Sequence, residues 1–249
     1  MILLVDIGNA RIKWALQDAD SWNVGEPLQR QNRAFKDIAR PAWKELDAPE
    51  RVIVSNVAGE EYRKSVQTWV KRRWKVTPEF LPVTEQQCGV RNAYTVPQRL
   101  GGDRWASLLA VHAHYSGAAV VIDCGTAITI DAIAADGMHL GGLIVPGMEL
   151  MASSLTGHAP GIQMEDTDNQ DISLLGLSTE AAVSGGVLYT AIALVERVFM
   201  DLQGELGNGT NLLLTGGDAS RILPLLASRP KHVPDLVLKG LAVYAEETA

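Results

Sequence analysis

The chain has 249 residues, of which 47% are hydrophobic and 20% are charged, and its formal net charge at pH 7 is −7. These values exclude a disordered chain and predict a folded protein with room for two domains, and the absence of a long Lys or Arg run argues against nucleic acid as a partner. The two cysteines lack metal-ligand spacing, no basic leader precedes the first apolar run, and no apolar run is long enough to span a membrane, so we expect a cytoplasmic protein without a membrane segment.

The chain opens with two strand-like runs, near residues 2–7 and 12–17, joined by an Asp-x-Gly turn at Asp6 and Gly8. Glycine admits a close approach to the backbone, so such a turn can point main-chain N–H groups at an oxyanion. Asp6 cannot bind phosphate itself, because two anions repel, but it can hold the cation that neutralises phosphate. One such turn by itself is more often an ordinary hairpin turn than a functional site.

The rest of the first half alternates helices and strands. The pattern predicts a third strand before Phe35, helices at 35–46, 60–74 and 103–115, strands at 51–57 and 76–83, and a loop at 89–99. Ser55 and Asn56 lie at the polar end of the 51–57 strand, where such residues either face a ligand or form a turn.

The second half repeats the opening pattern: an apolar run ends at Asp123, Gly125 follows two positions later, and alternation then resumes. Two copies of one hairpin favour a nucleotide-phosphate clamp over two unrelated turns. The pattern then predicts a strand at 138–143, a turn at Pro146-Gly147, a helix at 148–155, a polar loop through Asp171, a helix at 179–202, a strand at 211–215, and helices at 219–226 and 236–246.

The long predicted helix contains two adjacent glycines, Gly185 and Gly186. Each glycine inside a helix costs about 1 kcal/mol relative to alanine. We therefore expect close packing at this point, either against the core of the same domain or against a second subunit. Ser178 or Thr179 is a natural N-cap for the helix.

Seven short motifs occur in the order found in one family. They are Asp6-Ile7-Gly8-Asn9, Asn92-Ala93-Tyr94, Gly101-Gly102-Asp103-Arg104, Asp123-Cys124-Gly125-Thr126-Ala127, Gly141-Gly142-Leu143-Ile144-Val145-Pro146-Gly147, Ser178-Thr179 and Thr215-Gly216-Gly217-Asp218. The hairpins and the late Gly-Gly loop resemble the actin-like ATPase superfamily, and the full set resembles the type III pantothenate kinases over nearly the whole chain. The resemblance implies an α/β fold of two actin-like, ribonuclease H-like domains, residues 1–116 and 117–249, each a mixed β-sheet flanked by helices.

The resemblance also implies a function. It is the ATP-dependent phosphorylation of pantothenate to 4'-phosphopantothenate, the first step of coenzyme A biosynthesis, by a homodimer that binds pantothenate near the subunit interface. It further implies Mg²⁺ with ATP, and a monovalent cation, K⁺ or NH₄⁺, at Asp123. Two alternatives stay open: a kinase of the same fold for a sugar or small acid, and a nucleotide-dependent regulatory protein of the Bvg accessory factor type.

The chain lacks the Gly-x-x-x-x-Gly-Lys-Ser/Thr motif, so hairpin amides are expected to hold the phosphates. Asp6 is the candidate Mg²⁺ ligand, through water, because magnesium keeps much of its hydration shell. The residues assigned to ATP are Asp6, Ile7, Gly8, Asn9, Ala10, Arg11, Ile12, Lys13, Gly125, Thr126, Gly216 and Gly217. The histidines lack metal-ligand spacing, so structural or surface roles are expected for them.

Asp103 is the candidate proton acceptor, with a helix N-cap as its alternative role. An aspartate with an ordinary pKa of about 3.9 is a weak base, so it would orient the hydroxyl and take the proton late in phosphoryl transfer. Arg104 suits the carboxylate of pantothenate, unless it lies on an exposed helix face. By resemblance, the residues assigned to pantothenate are Tyr94, Gly101, Gly102, Asp103, Arg104 and Thr179.

Overall fold

The structure is a computed structural model, and it describes residues 1–19, 21–30, 33–159 and 175–249. The polar loop predicted through Asp171 lies outside the described residues. The contacts of the chain divide it into two compact units. The first unit comprises residues 1–116, 135–141 and 235–249, and the second comprises residues 117–134 and 142–234. The predicted division into domains at residues 116 and 117 stays a prediction, but the C-terminal segment packs with the first unit.

The strands and helices of the described residues alternate along the chain, and the hairpins at residues 2–18 and 119–133 open its two halves. The strands are β1 (Ile2–Ile7), β2 (Arg11–Asp18), β3 (Ser21–Val24), β4 (Leu28–Gln29), β5 (Arg51–Asn56), β6 (Glu79–Phe80), β7 (Gln86–Gln87), β8 (Val90–Arg91), β9 (Ala119–Cys124), β10 (Ala127–Ile133), β11 (His139–Pro146), β12 (Asn211–Thr215) and β13 (Lys231–His232). The helices are α1 (Phe35–Ala42), α2 (Glu60–Trp74), α3 (Gly102–His114), α4 (Met148–His158), α5 (Thr179–Leu206), α6 (Ala219–Ile222) and α7 (Leu236–Glu247).

The first sheet is built around the first hairpin. Its strands lie in the order β3-β2-β1-β5-β6, with β4 also paired to β2. Since β1 is antiparallel to β2 and parallel to β5, Asp6 is paired with Lys13 on one side and with Ser55 on the other. Paired residues share a face of the sheet. The row Lys13, Asp6, Ser55 therefore crosses the sheet at the carboxyl end of β1.

Alternate residues of β1 pack against opposite layers of the first unit. Leu3, Val5 and Ile7 join a core cluster with α1 and α2. Six aromatic rings pack in this cluster, mostly edge to face, and the centroids of contacting rings are 5.0 to 6.1 Å apart. The rings belong to Trp14, Phe35, Trp43, Tyr62, Trp69 and Trp74. This geometry suits the quadrupoles of aromatic rings and adds stability beyond the buried area.

Helices α3 and α7 form the other layer of the first unit. They pack so closely that a Cβ at Gly240 would collide with the backbone of Ala106. Arg51 ties the end of α7 to the sheet, since it donates to the carbonyl of Ala245 (2.9 Å) and forms two hydrogen bonds with the carboxylate of Glu79 (2.7 and 2.8 Å). The last helix of the chain is thus an integral part of the first unit.

The second sheet has the order β11-β10-β9-β12-β13 and is built around the second hairpin. Helix α5 supplies much of the core beneath it, through Val187, Ala191 and Val195. This helix, Thr179–Leu206, also has the length and hydropathy of a membrane span, although 39% of its most apolar window is buried and core helices share that composition. Ser178 is its N-cap, as predicted, and its Oγ accepts from the N–H of Ala181 at 3.2 Å.

Candidate active site

The first hairpin closes over four residues. The N–H of Gly8 donates to the carbonyl of Arg11 at 3.0 Å, between the paired residues Ile7 and Ile12. Arg30 binds three successive carbonyls of this turn. Its side chain donates to Gly8 (3.3 Å) and Asn9 (3.0 Å), and its N–H donates to Ala10 (2.9 Å). The carbonyls of the turn are therefore engaged by a cationic residue, which the sequence analysis did not identify.

The side chains of the first hairpin divide into buried and exposed sets. Ile7 and Ile12 are fully buried in the core, so they could serve a nucleotide only through their main chains. Asn9, Ala10 and Arg11 are exposed. Asp6 is 9% exposed and stands in the row with Lys13 and Ser55. A carboxylate in this setting suits a cation that arrives with the phosphates.

The second hairpin closes over three residues, one fewer than the first. The N–H of Gly125 donates to the carbonyl of Ala127 at 3.0 Å, between the paired residues Cys124 and Ile128. The turn before α4 rests on this tip, since the N–H of Gly147 donates to the carbonyl of Thr126 at 2.9 Å. A Cβ at position 147 would meet the backbone of the tip, so glycine is required there.

The loop after β12 packs against the second hairpin. The N–H of Asp218 donates to the carbonyl of Cys124 at 2.9 Å. Gly216 has φ +102° and lies so close to Cys124 that any side chain would collide with its backbone. The second unit therefore brings together three of its predicted ATP residues, Gly125, Thr126 and Gly216, and Gly217 follows directly in the same loop.

Asp123 stands in a row that parallels the row of Asp6. It is paired with Thr129 on β10 and with Thr215 on β12. Among the described residues, no group of three or more His, Cys, Asp or Glu side chains is arranged to hold a metal ion. The oxygen donors at both rows fit cations that share their coordination with a phosphate ligand and water, rather than a closed protein cage.

The Gly101–Arg104 loop carries the candidate base at the start of α3. Asp103 is the second residue of this helix rather than its N-cap, so its alternative role as N-cap is not borne out. Its Oδ1 accepts from the N–H of Arg104 at 2.8 Å. A Cβ at Gly101 would lie 2.5 Å from that oxygen, so the glycine makes room for the carboxylate.

Arg104 is 6% exposed, and the alternative of an exposed helical arginine is therefore wrong. Its Nη1 donates to the hydroxyl of Tyr94 at 2.9 Å, and its Cζ lies 5.7 Å from the centroid of the Tyr94 ring. The structure thus joins two residues that the family resemblance assigned to one substrate. A guanidinium held in this way suits a carboxylate ligand.

Two further residues hold Tyr94 in place. Asn92 accepts from the N–H of Tyr94 at 3.0 Å. His139 is fully buried and stacks on the Tyr94 ring, with centroids 6.0 Å apart and an interplanar angle of 17°. The structural role predicted for the histidines holds for His139. Its place two residues before Gly141 was the available signal, but the stacking partner is distant in sequence.

Thr179 lies in the second unit, at the exposed first turn of α5. Gly186 is exposed on the same helix, and no described residue approaches within 4 Å of a Cβ built there. The expected close packing at Gly186 is therefore absent from the described part of this chain. Packing of the two glycines against a second subunit, the other possibility, remains a prediction.

The chain is similar in sequence to known proteins over most of its length. A sequence model of the family described as type III pantothenate kinase matches residues 2–201, which include both hairpins and the Gly101–Arg104 loop. The chain belongs to the type III pantothenate kinase family. A family member from Nitrosococcus oceani, named type III pantothenate kinase, is 45% identical over 254 residues that cover 100% of this chain and 95% of the relative. The family resemblance predicted from the motifs is confirmed.

Solved structures support the fold. A Campylobacter jejuni protein described as a Baf family transcriptional activator aligns with a TM-score of 0.59 and 22% identity, covering 99% of this chain and 98% of that one. A Porphyromonas gingivalis protein described as an N-acetylglucosamine kinase aligns with a TM-score of 0.53 and 10% identity over 100% of both chains. At these identities the likeness concerns the fold alone. The predicted class, mixed α/β and actin-like, is confirmed for this family member.

Proposed function

We propose that the protein transfers the γ-phosphoryl group of ATP to the primary hydroxyl of pantothenate, the first step of coenzyme A biosynthesis. The observation that carries this proposal is membership of the type III pantothenate kinase family, by a match over residues 2–201. The hydrogen-bonded pair of the buried Arg104 and the half-buried Tyr94, beside Asp103, supports it, since one small acid with a hydroxyl at its other end suits these groups.

The nucleotide is assigned to the glycine turns. Backbone amides of the Gly8 and Gly125 turns hold the phosphates, and the Gly216-Gly217 loop contacts adenosine. Asp6 holds Mg²⁺ through water, and Asp123 holds K⁺ or NH₄⁺. These cations supply the positive charge that offsets the phosphates and the nearby carboxylates.

The acceptor is assigned to the loop at the start of α3. Asp103 orients the reacting hydroxyl and accepts its proton as the bond to phosphorus forms. Arg104 binds the carboxylate of pantothenate, and Tyr94 and Thr179 bind its amide and hydroxyl groups. Phosphoryl transfer depends mainly on positioning and on charge neutralisation, and these residue types supply both.

We further propose that the enzyme is a cytoplasmic homodimer. The exposed glycine at position 186, with open space around it, supports a subunit contact on α5. Glycine lowers the stability of a helix, but its small size allows a second helix to approach closely. A subunit contact at this point would therefore explain the two adjacent glycines.

The test measures ADP release and phosphopantothenate formation from ATP and Mg²⁺, with and without pantothenate, first in K⁺ and then in Na⁺. We expect turnover that depends on pantothenate and on K⁺, and that falls at least about a hundredfold in Asp103→Asn. Asp37→Asn, an exposed aspartate on α1, is the matched control. Turnover with glucose or acetate in place of pantothenate would instead favour another acceptor, and nucleotide binding without turnover would favour a regulatory protein.

A further inference from the structure

Ser55 is a buried hydroxyl that none of the proposed roles uses. It is the penultimate residue of β5 and is 1% exposed. Its Oγ has no hydrogen-bond partner within the described part of the chain. A buried hydroxyl without a partner is unfavourable and uncommon, and it is retained in native proteins most readily where a ligand or water completes its bonding.

The neighbour of Ser55 behaves differently. Asn56 donates to the carbonyl of Gly59 at 3.1 Å and accepts from the N–H of Ala58 at 3.2 Å, so it forms the turn that leads to α2. The sequence left two roles open for this pair, ligand contact or turn formation. The structure assigns turn formation to Asn56 alone, because the Ser55 hydroxyl takes no part in that turn.

The surroundings of Ser55 are those of the candidate active site. Its register partner is Asp6, the candidate ligand of the ATP-bound cation. On another side its Oγ lies 3.6 Å from the position of a Cβ at Gly102, the residue directly before Asp103. Ser55 therefore stands between the strand that leads into the phosphate hairpin and the loop that carries the candidate base.

The second unit has a hydroxyl at the equivalent position. Thr215 is the register partner of Asp123, in the strand parallel to β9, as Ser55 is of Asp6 in the strand parallel to β1. Both hydroxyl residues are 1% exposed. A hydroxyl beside the hairpin aspartate is thus a feature of both rows, and in the first unit it also borders the substrate loop.

We propose that Ser55 contacts the acceptor alcohol and fixes its orientation for attack. The inference rests on the proposed kinase activity and on the role of Asp103. The Ser55 hydroxyl donates to the oxygen of the pantothenate alcohol, and the alcohol donates to Asp103. As the new O–P bond forms, the alcohol proton passes to Asp103, the bond between the γ-phosphorus and the ADP oxygen breaks, and ADP keeps the electron pair. Ser55 keeps its own proton throughout.

The experiment compares Ser55→Ala and Ser55→Thr with the native chain. In Ser55→Ala we expect kcat with pantothenate to fall at least about thirtyfold, with the KM for ATP changed less than about twofold. We also expect more ADP released per phosphopantothenate formed, because water competes with a poorly held alcohol. Ser55→Thr retains the hydroxyl and should stay within about fivefold of the native kcat. Ser107→Ala, another buried serine, is the matched control.

The thermal midpoint separates a functional role from a structural one. Because the hydroxyl has no partner within the described residues, Ser55→Ala should unfold at the same temperature as the native chain or higher. Native kcat in Ser55→Ala overturns the inference while leaving the kinase assignment intact. A lower kcat that comes with a lower midpoint overturns it as well, since the serine would then be structural. Absence of pantothenate phosphorylation by the native chain overturns both proposals.

Discussion

At the scale of single residues, Gly101 controls the space available to the candidate base. A Cβ at this position would lie 2.5 Å from Oδ1 of Asp103. Gly101→Ala should therefore rotate the carboxylate away and lower kcat at least about tenfold, because small displacements of a reacting group are costly. The thermal midpoint should change little, since a flexible side chain can yield.

Steady-state kinetics and a melting curve test this prediction. Gly157→Ala is the matched control, because a Cβ there meets none of the described residues within 4 Å. A native kcat in Gly101→Ala would show that the position of the Asp103 carboxylate in the free enzyme is unimportant for turnover.

The two cysteine thiols make stability depend on pH. Burial, with smaller contributions from nearby carboxylates, raises the pKa of Cys88 and Cys124 from 9.0 to about 12. The folded chain therefore keeps protons that the unfolded chain releases, so this stabilisation is present below the unfolded pKa and is lost as the pH rises from 9 towards 12. The urea midpoint should fall between about pH 8 and about pH 10, and fall less in Cys124→Ala. An equal fall in both proteins would contradict the prediction.

The family resemblance named the candidate site residues but not their surroundings. The sequence could name Asp103 and Arg104, since both belong to a short motif. It could not decide that Arg104 is buried and bound to Tyr94, or that Ser55 borders Gly102, because both contacts join separate elements of the fold. Burial and partners follow from tertiary packing, and local patterns do not encode them.

At the scale of elements, Arg30 is expected to hold the first phosphate turn in its binding conformation. Its contacts engage the carbonyls of Gly8, Asn9 and Ala10 and none of the turn's amides, of which that of Gly8 already donates to Arg11. Arg30→Met should raise the KM for ATP at least about tenfold, because a hydrogen bond from a charged group contributes about 1.5 to 3 kcal/mol.

Kinetics with varied ATP measure the effect of Arg30→Met. Arg33→Met is the matched control, because Arg33 donates its side-chain hydrogen bond to Asp37 and not to the hairpin. An unchanged KM for ATP would mean that the turn keeps its shape without the guanidinium.

Long, regular elements were predictable, and short or interrupted ones were not. β1 (Ile2–Ile7) and α2 (Glu60–Trp74) match their predicted bounds, because apolar periodicity extends over their whole length. The helix predicted at 219–226 instead splits into α6 and a 3₁₀ turn at Leu223–Leu225, where Pro224 cannot donate a helical hydrogen bond. The two-residue strands β7, β8 and β13 carry too little periodicity to be recognised.

At the scale of the whole molecule, the proposed homodimer can be tested on α5. Gly186→Arg should convert a dimer into a monomer of 26.9 kDa and reduce turnover, since the arginine would fill the space a partner helix needs. Light scattering after size exclusion gives the mass. Gly204→Arg is the matched control on the same helix, also with open space around it. A native chain that is monomeric at working concentration would refute the dimer.

The C-terminal helix was predictable as an element, but its packing partners were not. Periodicity placed a helix at 236–246, and α7 occupies Leu236–Glu247. Its partners, α3 and the first sheet, lie more than half the chain away and could not be inferred from spacing. Family membership, by contrast, was predictable from seven ordered motifs, because short motifs and their order can be recognised in the sequence without knowledge of packing.

The aromatic core of the first unit gives the protein an unusual optical property. All six tryptophans occur before residue 117, so the second unit contributes none. Tryptophan emission during urea denaturation therefore reports on the first unit alone, whereas helical circular dichroism counts both units. Coincident curves would mean that the two units unfold together. Separated curves would reveal a state in which the second unit is unfolded while tryptophan emission is unchanged.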